Sequence, residues 1–124
     1  MELNIIRNVE SVCSTAYNMD KKIPFLDQIV NMIISAIAPD KIILFGSYAR
    51  GDYRKNSDID ILILKKGLKN EREVINELYM DFFNKKIPMP IDLIAVDYDK
   101  YDNLNSDIGY IYKTIKQEGK ILYE

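Results

Sequence analysis

Hydrophobic patterning predicts an α/β (α+β) fold, a small mixed β-sheet flanked by helices. Two observations carry this. Three short apolar runs of strand type, KIILF, DIDILIL and IDLIAV, are spread along the chain, and stretches of helical periodicity lie around and between them. The 124 residues leave room for one core-bearing unit, and a hydrophobic fraction of 48% is ordinary for a globular protein.

Leu3, Ile6, Val9 and Ala16 recur at roughly helical spacing and predict a helix over 3–16. Pro24 suits the first turn of the next helix, where a missing N–H costs nothing. There Leu26, Ile29, Val30, Ile33 and Ile37 form one buried stripe, and Pro39 and Asp40 end it. Lys41 to Phe45 reads as a buried strand ending at Gly46. Residues 46–57 are polar, with Gly51, Asp52, Asn56 and Ser57, and form a loop or one short helix.

In Asp58 to Leu64, alternation puts Asp58, Asp60, Leu62 and Leu64 on one face and Ile59, Ile61 and Ile63 on the other. Beyond the acidic start both faces are apolar, as in a central strand covered on each side. Asn70 to Asn84 carries Val74, Ile75, Leu78, Tyr79, Phe82 and Phe83 at helical spacing, with Asn70 and Glu73 as an N-cap and capping-box pair. Pro88 and Pro90 break the pattern before the strand Ile91 to Val96. A last helix is expected over Asp107 to Glu118, closed by Gly119, with a short edge strand over Ile121 to Tyr123.

Seventeen basic and nineteen acidic residues leave a net charge of −2, which argues against direct nucleic-acid binding. The one cysteine, Cys13, has no internal disulfide partner and fits a reducing compartment. The N-terminus has dispersed charges and no signal-type apolar stretch, and the apolar run Met32 to Ala38 is far too short to span a membrane. A cytoplasmic protein is expected. The chain contains no histidine, which excludes a histidine base, a Ser-His dyad and a His-ligated zinc.

Three features bear on chemistry. Gly46-Ser47 directly follows a buried strand: the glycine allows close backbone approach to a ligand, and a helix starting there would offer N–H groups to an anion. Alone, the pair is equally a plain strand-ending turn. Asp58-x-Asp60 sends two carboxylates to the same side, where they repel unless a proton or a cation neutralises them. Oxygen-only ligands favour a hard ion such as magnesium or manganese. Alone, the pair is also compatible with a solvated sheet rim. Asp92 interrupts an apolar strand on the face of Ile94 and Val96; it either caps the turn after Pro90 or joins the other two acids, if its strand neighbours theirs.

Taken together, Gly46-Ser47, ten intervening residues, Asp58-Ile59-Asp60 and a distant strand Asp resemble the nucleotidyltransferase signature of the DNA polymerase beta superfamily. The stretch GSYARGDYRKNSDIDILIL is similar to the minimal nucleotidyltransferases, often called MNT or MntA-like. The strong match covers about residues 41–64 and Asp92, and a looser one runs from the Pro24 helix to the final QEGKILYE. The resemblance implies a nucleotidyltransferase domain over 24–124; it does not account for the first twenty or so residues, and the helical spacing over 3–16 makes residues 1–23 an N-terminal helical extension. Tyr48 stands where the family often has arginine, and Tyr53-Arg54-Lys55 where it is often small and acidic.

The resemblance implies a polymerase-beta-like fold and transfer of a nucleoside monophosphate from an NTP to a hydroxyl. Two Mg²⁺ ions (or Mn²⁺) would be held by Asp58, Asp60 and Asp92, with Asp92 as base or orienter of the acceptor. Gly46, Ser47 and Arg50 would hold the phosphates of ATP. Stand-alone members are typically antitoxins that transfer AMP to a tyrosine of a HEPN-domain toxin. A binding-only antitoxin acting by occlusion, and an enzyme acting on a small-molecule hydroxyl, are the alternatives.

Overall fold

The computed structural model describes residues 23–103 and 110–124. The helix expected over 3–16, Cys13 and the extension as far as residue 22 lie outside the described residues, as do residues 107–109 of the expected last helix.

Helix α1 (Leu26–Ile37) follows a turn in which the Leu26 N–H donates to the Ile23 carbonyl at 3.2 Å. Pro24 thus lies in the turn before the helix and not in its first turn, because Phe25 takes a left-handed conformation, φ 66°, that interrupts the helical path. At the other end Ala38 turns left-handed, and the Asp40 N–H already donates to the Leu64 carbonyl in the sheet.

Strand β1 (Lys41–Phe45) leads through Gly46 into α2 (Ser47–Arg50), so the polar segment after β1 begins with one short helix. Strand β2 (Ile59–Lys65) starts one residue after Asp58. Helix α3 (Glu71–Asn84) is capped as its sequence requires: Asn70 Oδ1 accepts from the Glu73 N–H at 3.1 Å, and Asn70 Nδ2 donates to Glu73 Oε2 at 2.8 Å. Strand β3 (Ile91–Asp97) runs directly into α4 (Tyr98–Asn103), a helix that the sequence reading did not anticipate. Helix α5 (Tyr110–Glu118) and strand β4 (Lys120–Tyr123) complete the order.

The four strands form one mixed sheet in the order β3-β2-β1-β4, with β1 antiparallel to β2 and β4, and β2 parallel to β3. As alternation predicts, Ile59, Ile61 and Ile63 face one core with Ile42, Leu44, Leu93 and the buried residues of α1 and α3. Leu62 and Leu64 face a second core with Ile43, Phe45, Val96, Tyr101 and Ile115. Ile59 through Leu64, apart from the partly buried Asp60, are buried on both faces. Each fully buried aliphatic side chain contributes on the order of 2 kcal/mol, so this central strand anchors both layers.

Candidate active site

The site grows out of the sheet register. Because β2 and β3 are parallel, Asp60 and Asp92 are direct Cα partners at the starts of adjacent strands. Because β1 is antiparallel to β2, Phe45 pairs with Asp60, which brings the strand-ending Gly46-Ser47 to the same end of the sheet. Asp58 stands just before β2, exposed, and Asp92 is exposed beside it on the neighbouring strand. Five of the six residues singled out from sequence, Gly46, Ser47, Arg50, Asp58 and Asp60, line one cleft of about 470 Å³ together with Phe45, Ser57, Ile111 and Thr114. Asp92 lies beside that cleft.

Gly46 takes φ 75° and ψ −157°, a conformation open essentially to glycine alone. Its α-carbon abuts the Asp60 carboxylate so closely that an added Cβ would collide with Asp60 Oδ2. The Gly46 carbonyl accepts from the Ala49 and Arg50 N–H groups at 3.1 and 3.0 Å, closing the turn that starts α2.

The Asp60 carboxyl is pushed up to about 6, first by burial, then by the charges of Asp92 and Asp58, with the Arg50 guanidinium opposing them. Partial withdrawal from water disfavours the carboxylate, and two acidic neighbours disfavour it further. That combination stores a demand for positive charge. Among the described residues no three acidic side chains stand close enough to enclose an ion as they lie; Asp58 and Asp92 are both exposed and Asp60 is half-buried. Oxygen donors of this kind, with no histidine or described cysteine among them, fit a hard divalent cation.

Arg50 is held from two sides: its Nε donates to Asp52 Oδ2 at 3.2 Å and its Nη1 to Glu118 Oε1 at 3.4 Å. Tyr48 is a core residue whose ring stacks on Tyr53, with centroids 4.3 Å apart and planes 17° from parallel. Burial, then the neighbouring Tyr53, pushes the Tyr48 hydroxyl up. Neither ring lines the cleft. Sequence reasoning missed the contribution of α5, from which Ile111 and Thr114 line the cleft and Glu118 reaches Arg50. The spacing of 111, 114 and 118 marks one helical face, but only the packed sheet shows that this face turns to the site. A wider hollow of about 860 Å³ between α1 and α3, lined by Gln28, Asn31, Met32 and Lys85 among others, lies on the sheet face away from the carboxylates.

The sequence profile of the nucleotidyltransferase domain family matches residues 26–122. The chain belongs to that family. A nucleotidyltransferase acts on a nucleotide substrate. The chain is 44% identical over 81 residues to MJ0141 of Methanocaldococcus jannaschii, a candidate protein adenylyltransferase, covering 62% of this chain and 64% of that protein. The chain thus spans under two thirds of that relative's length. It is also 36% identical over 84 residues to MJ0604 of the same organism, again a candidate protein adenylyltransferase, covering 67% of this chain and 77% of that one. Its fold is similar to that of a chain in a toxin–antitoxin complex solved with AMP-PNP, with a TM-score of 0.59 at 24% identity over 78% of this chain and 71% of that chain. A chain of the toxin–antitoxin pair MntA–HpeT matches with a TM-score of 0.58 at 23% identity, with the same coverage. Among the described residues, no helix is long and apolar enough to cross a membrane.

Proposed function

We propose that this nucleotidyltransferase is the antitoxin of a HEPN/MNT toxin–antitoxin pair, transferring AMP from ATP to a tyrosine hydroxyl of the HEPN toxin. The observation that carries the reading is the set of groups around Asp60: Asp58 and Asp92 act on its charge, Arg50 opposes them, and Gly46 abuts its carboxylate. The names of the two M. jannaschii relatives point to protein as the acceptor class, and the fold shared with toxin–antitoxin complexes points to the toxin.

In this reading Asp58, Asp60 and Asp92 would hold two Mg²⁺ ions, or Mn²⁺, which would supply positive charge against the carboxylates and the transferring phosphate. The Gly46 backbone, Ser47 and Arg50 bind the β- and γ-phosphates. The tyrosine oxygen forms a bond to the α-phosphorus, the bond from that phosphorus to the bridging oxygen breaks, and pyrophosphate leaves. Asp92, at the start of its strand beside Asp60, orients the tyrosine and takes its proton. Positioning and charge do nearly all the work in such transfers, which is why a chain without histidine suffices. Residues 24–124 form the transferring domain, and the protein works in the cytoplasm.

The test is incubation with ATP labelled at the α-phosphate, magnesium and the proposed HEPN toxin partner. Label should appear on a toxin tyrosine, and Asp60→Asn should abolish it while leaving toxin binding intact. Toxin neutralised without any label identifies the occlusion reading instead.

A further inference from the structure

The cleft beside Asp60 has a wall that the acidic residues do not explain. Its polar side consists of Gly46, Ser47, Arg50, Ser57, Asp58 and Asp60. Among the cleft-lining side chains the large apolar ones are Phe45, which is buried, and Ile111, which is 41% exposed. Ile111 is therefore the open apolar side of a cleft whose other exposed groups are polar.

Helix α5 holds this wall in place. Ile115, one turn after Ile111, is 2% exposed and packs in the core with Ile43 and Phe45. The Gly119 N–H donates to the Ile115 carbonyl at 2.7 Å. A Cβ on Gly119 would come within 2.7 Å of Ile43 Cγ2, so the helix end lies flush against β1. Positions 111, 114 and 118 then fall on one face: Ile111 and Thr114 in the cleft, Glu118 on Arg50. The helix that steadies the phosphate-side arginine therefore also supplies the apolar surface.

We infer that Ile111, with Thr114 beside it, forms the seat for the base and ribose of the nucleotide, the flat face of the base lying on the isoleucine side chain. A nucleoside triphosphate is an anionic tail joined to a flat ring with apolar faces, and the cleft has one wall suited to each. Its volume of about 470 Å³ suits a ligand of that size. The two aromatic residues nearest in sequence, Tyr48 and Tyr53, stack on each other and do not line the cleft. The inference rests on the nucleotide-binding role proposed above and adds to it the residue that holds the nucleoside.

The experiment compares ATP with inorganic tripolyphosphate, which keeps the anionic tail and lacks the nucleoside, by calorimetric titration of the full chain in magnesium. Ile111→Ser should weaken ATP binding about fivefold to tenfold, as loss of an apolar contact of this size implies, while leaving tripolyphosphate affinity unchanged. Ile111→Leu should restore ATP binding. Equal loss of both ligands in Ile111→Ser, or no loss of either, overturns the inference. Wild-type protein that binds ATP no better than tripolyphosphate also overturns it, yet leaves the transferase reading standing. Wild-type protein that binds neither ligand defeats both.

Discussion

The carboxylate of Asp60 lies against the α-carbon of Gly46, in the space where any other residue would carry its Cβ. One acidic group and one missing side chain thus define a single corner, with the strand pairing of Phe45 and Asp60 beneath it. Gly46→Ala should abolish nucleotide transfer, because the methyl must displace Asp60, and should lower stability by about 1–3 kcal/mol through backbone strain. Gly51 provides the control. It too has a left-handed φ, 89°, but a Cβ there meets nothing within 4 Å. Gly51→Ala should cost about 1 kcal/mol in thermal unfolding and keep most of its transfer activity.

Asp60 also sets a pH dependence whose sign can be worked out. Its carboxyl titrates at about 6 in the folded protein against a reference of 3.8. Between those values the folded state binds the extra proton, so this group's contribution to stability falls as pH rises from 3.8 to 6 and is at its least favourable above 6. Asp60→Asn should therefore be more stable than the metal-free wild type at pH 7. The difference should shrink through pH 6 and vanish near pH 4, as melting curves across that range would show. A gap that stays constant over the range would contradict the cause assigned to the shift.

The strand runs and their two-faced alternation were legible in the sequence because burial on both sides leaves no polar position within Ile61 to Leu64. Alternation also assigned Asp60 and Asp92 to apolar-facing positions. That they are neighbours was not legible, since it depends on β3 pairing with β2 and not with β1. Helix α4 escaped notice because YDKYDN has no apolar stripe and forms as a continuation of β3. The part played by α5 escaped for a different reason: Ile111 and Ile115 look alike in periodicity, and only packing separates the buried one from the one left open.

Arg50 offsets the two acids acting on Asp60, and its own position is held by Asp52 and Glu118. Removing it should act twice. Arg50→Ala should raise the KM for ATP about tenfold through loss of a charge-assisted phosphate contact. It should also move the acid limb of the pH–rate profile to higher pH, because Asp60 then takes up its proton sooner. Glu118→Gln should weaken ATP less than Arg50→Ala does, since the Asp52 contact remains. An unshifted acid limb in Arg50→Ala would disconnect the arginine from Asp60.

The strand that presents Asp92 is an edge strand, and one side chain ties its outer side down. The Leu93 N–H donates to the Tyr79 hydroxyl of α3 at 2.9 Å, in a part-buried contact. Without that hydroxyl the amide has no partner in a region partly shielded from water, at a cost of about 1 kcal/mol. Tyr79→Phe keeps the ring and its edge-on contact with Phe82, so only the hydrogen bond is lost. The variant should melt a few degrees lower and show faster amide exchange at Leu93. Ile61→Ala, in the central strand, should cost about 2–5 kcal/mol and speed exchange across the whole sheet. If Tyr79→Phe raised exchange everywhere to the same degree, the tie would belong to the core and not to the Asp92 edge.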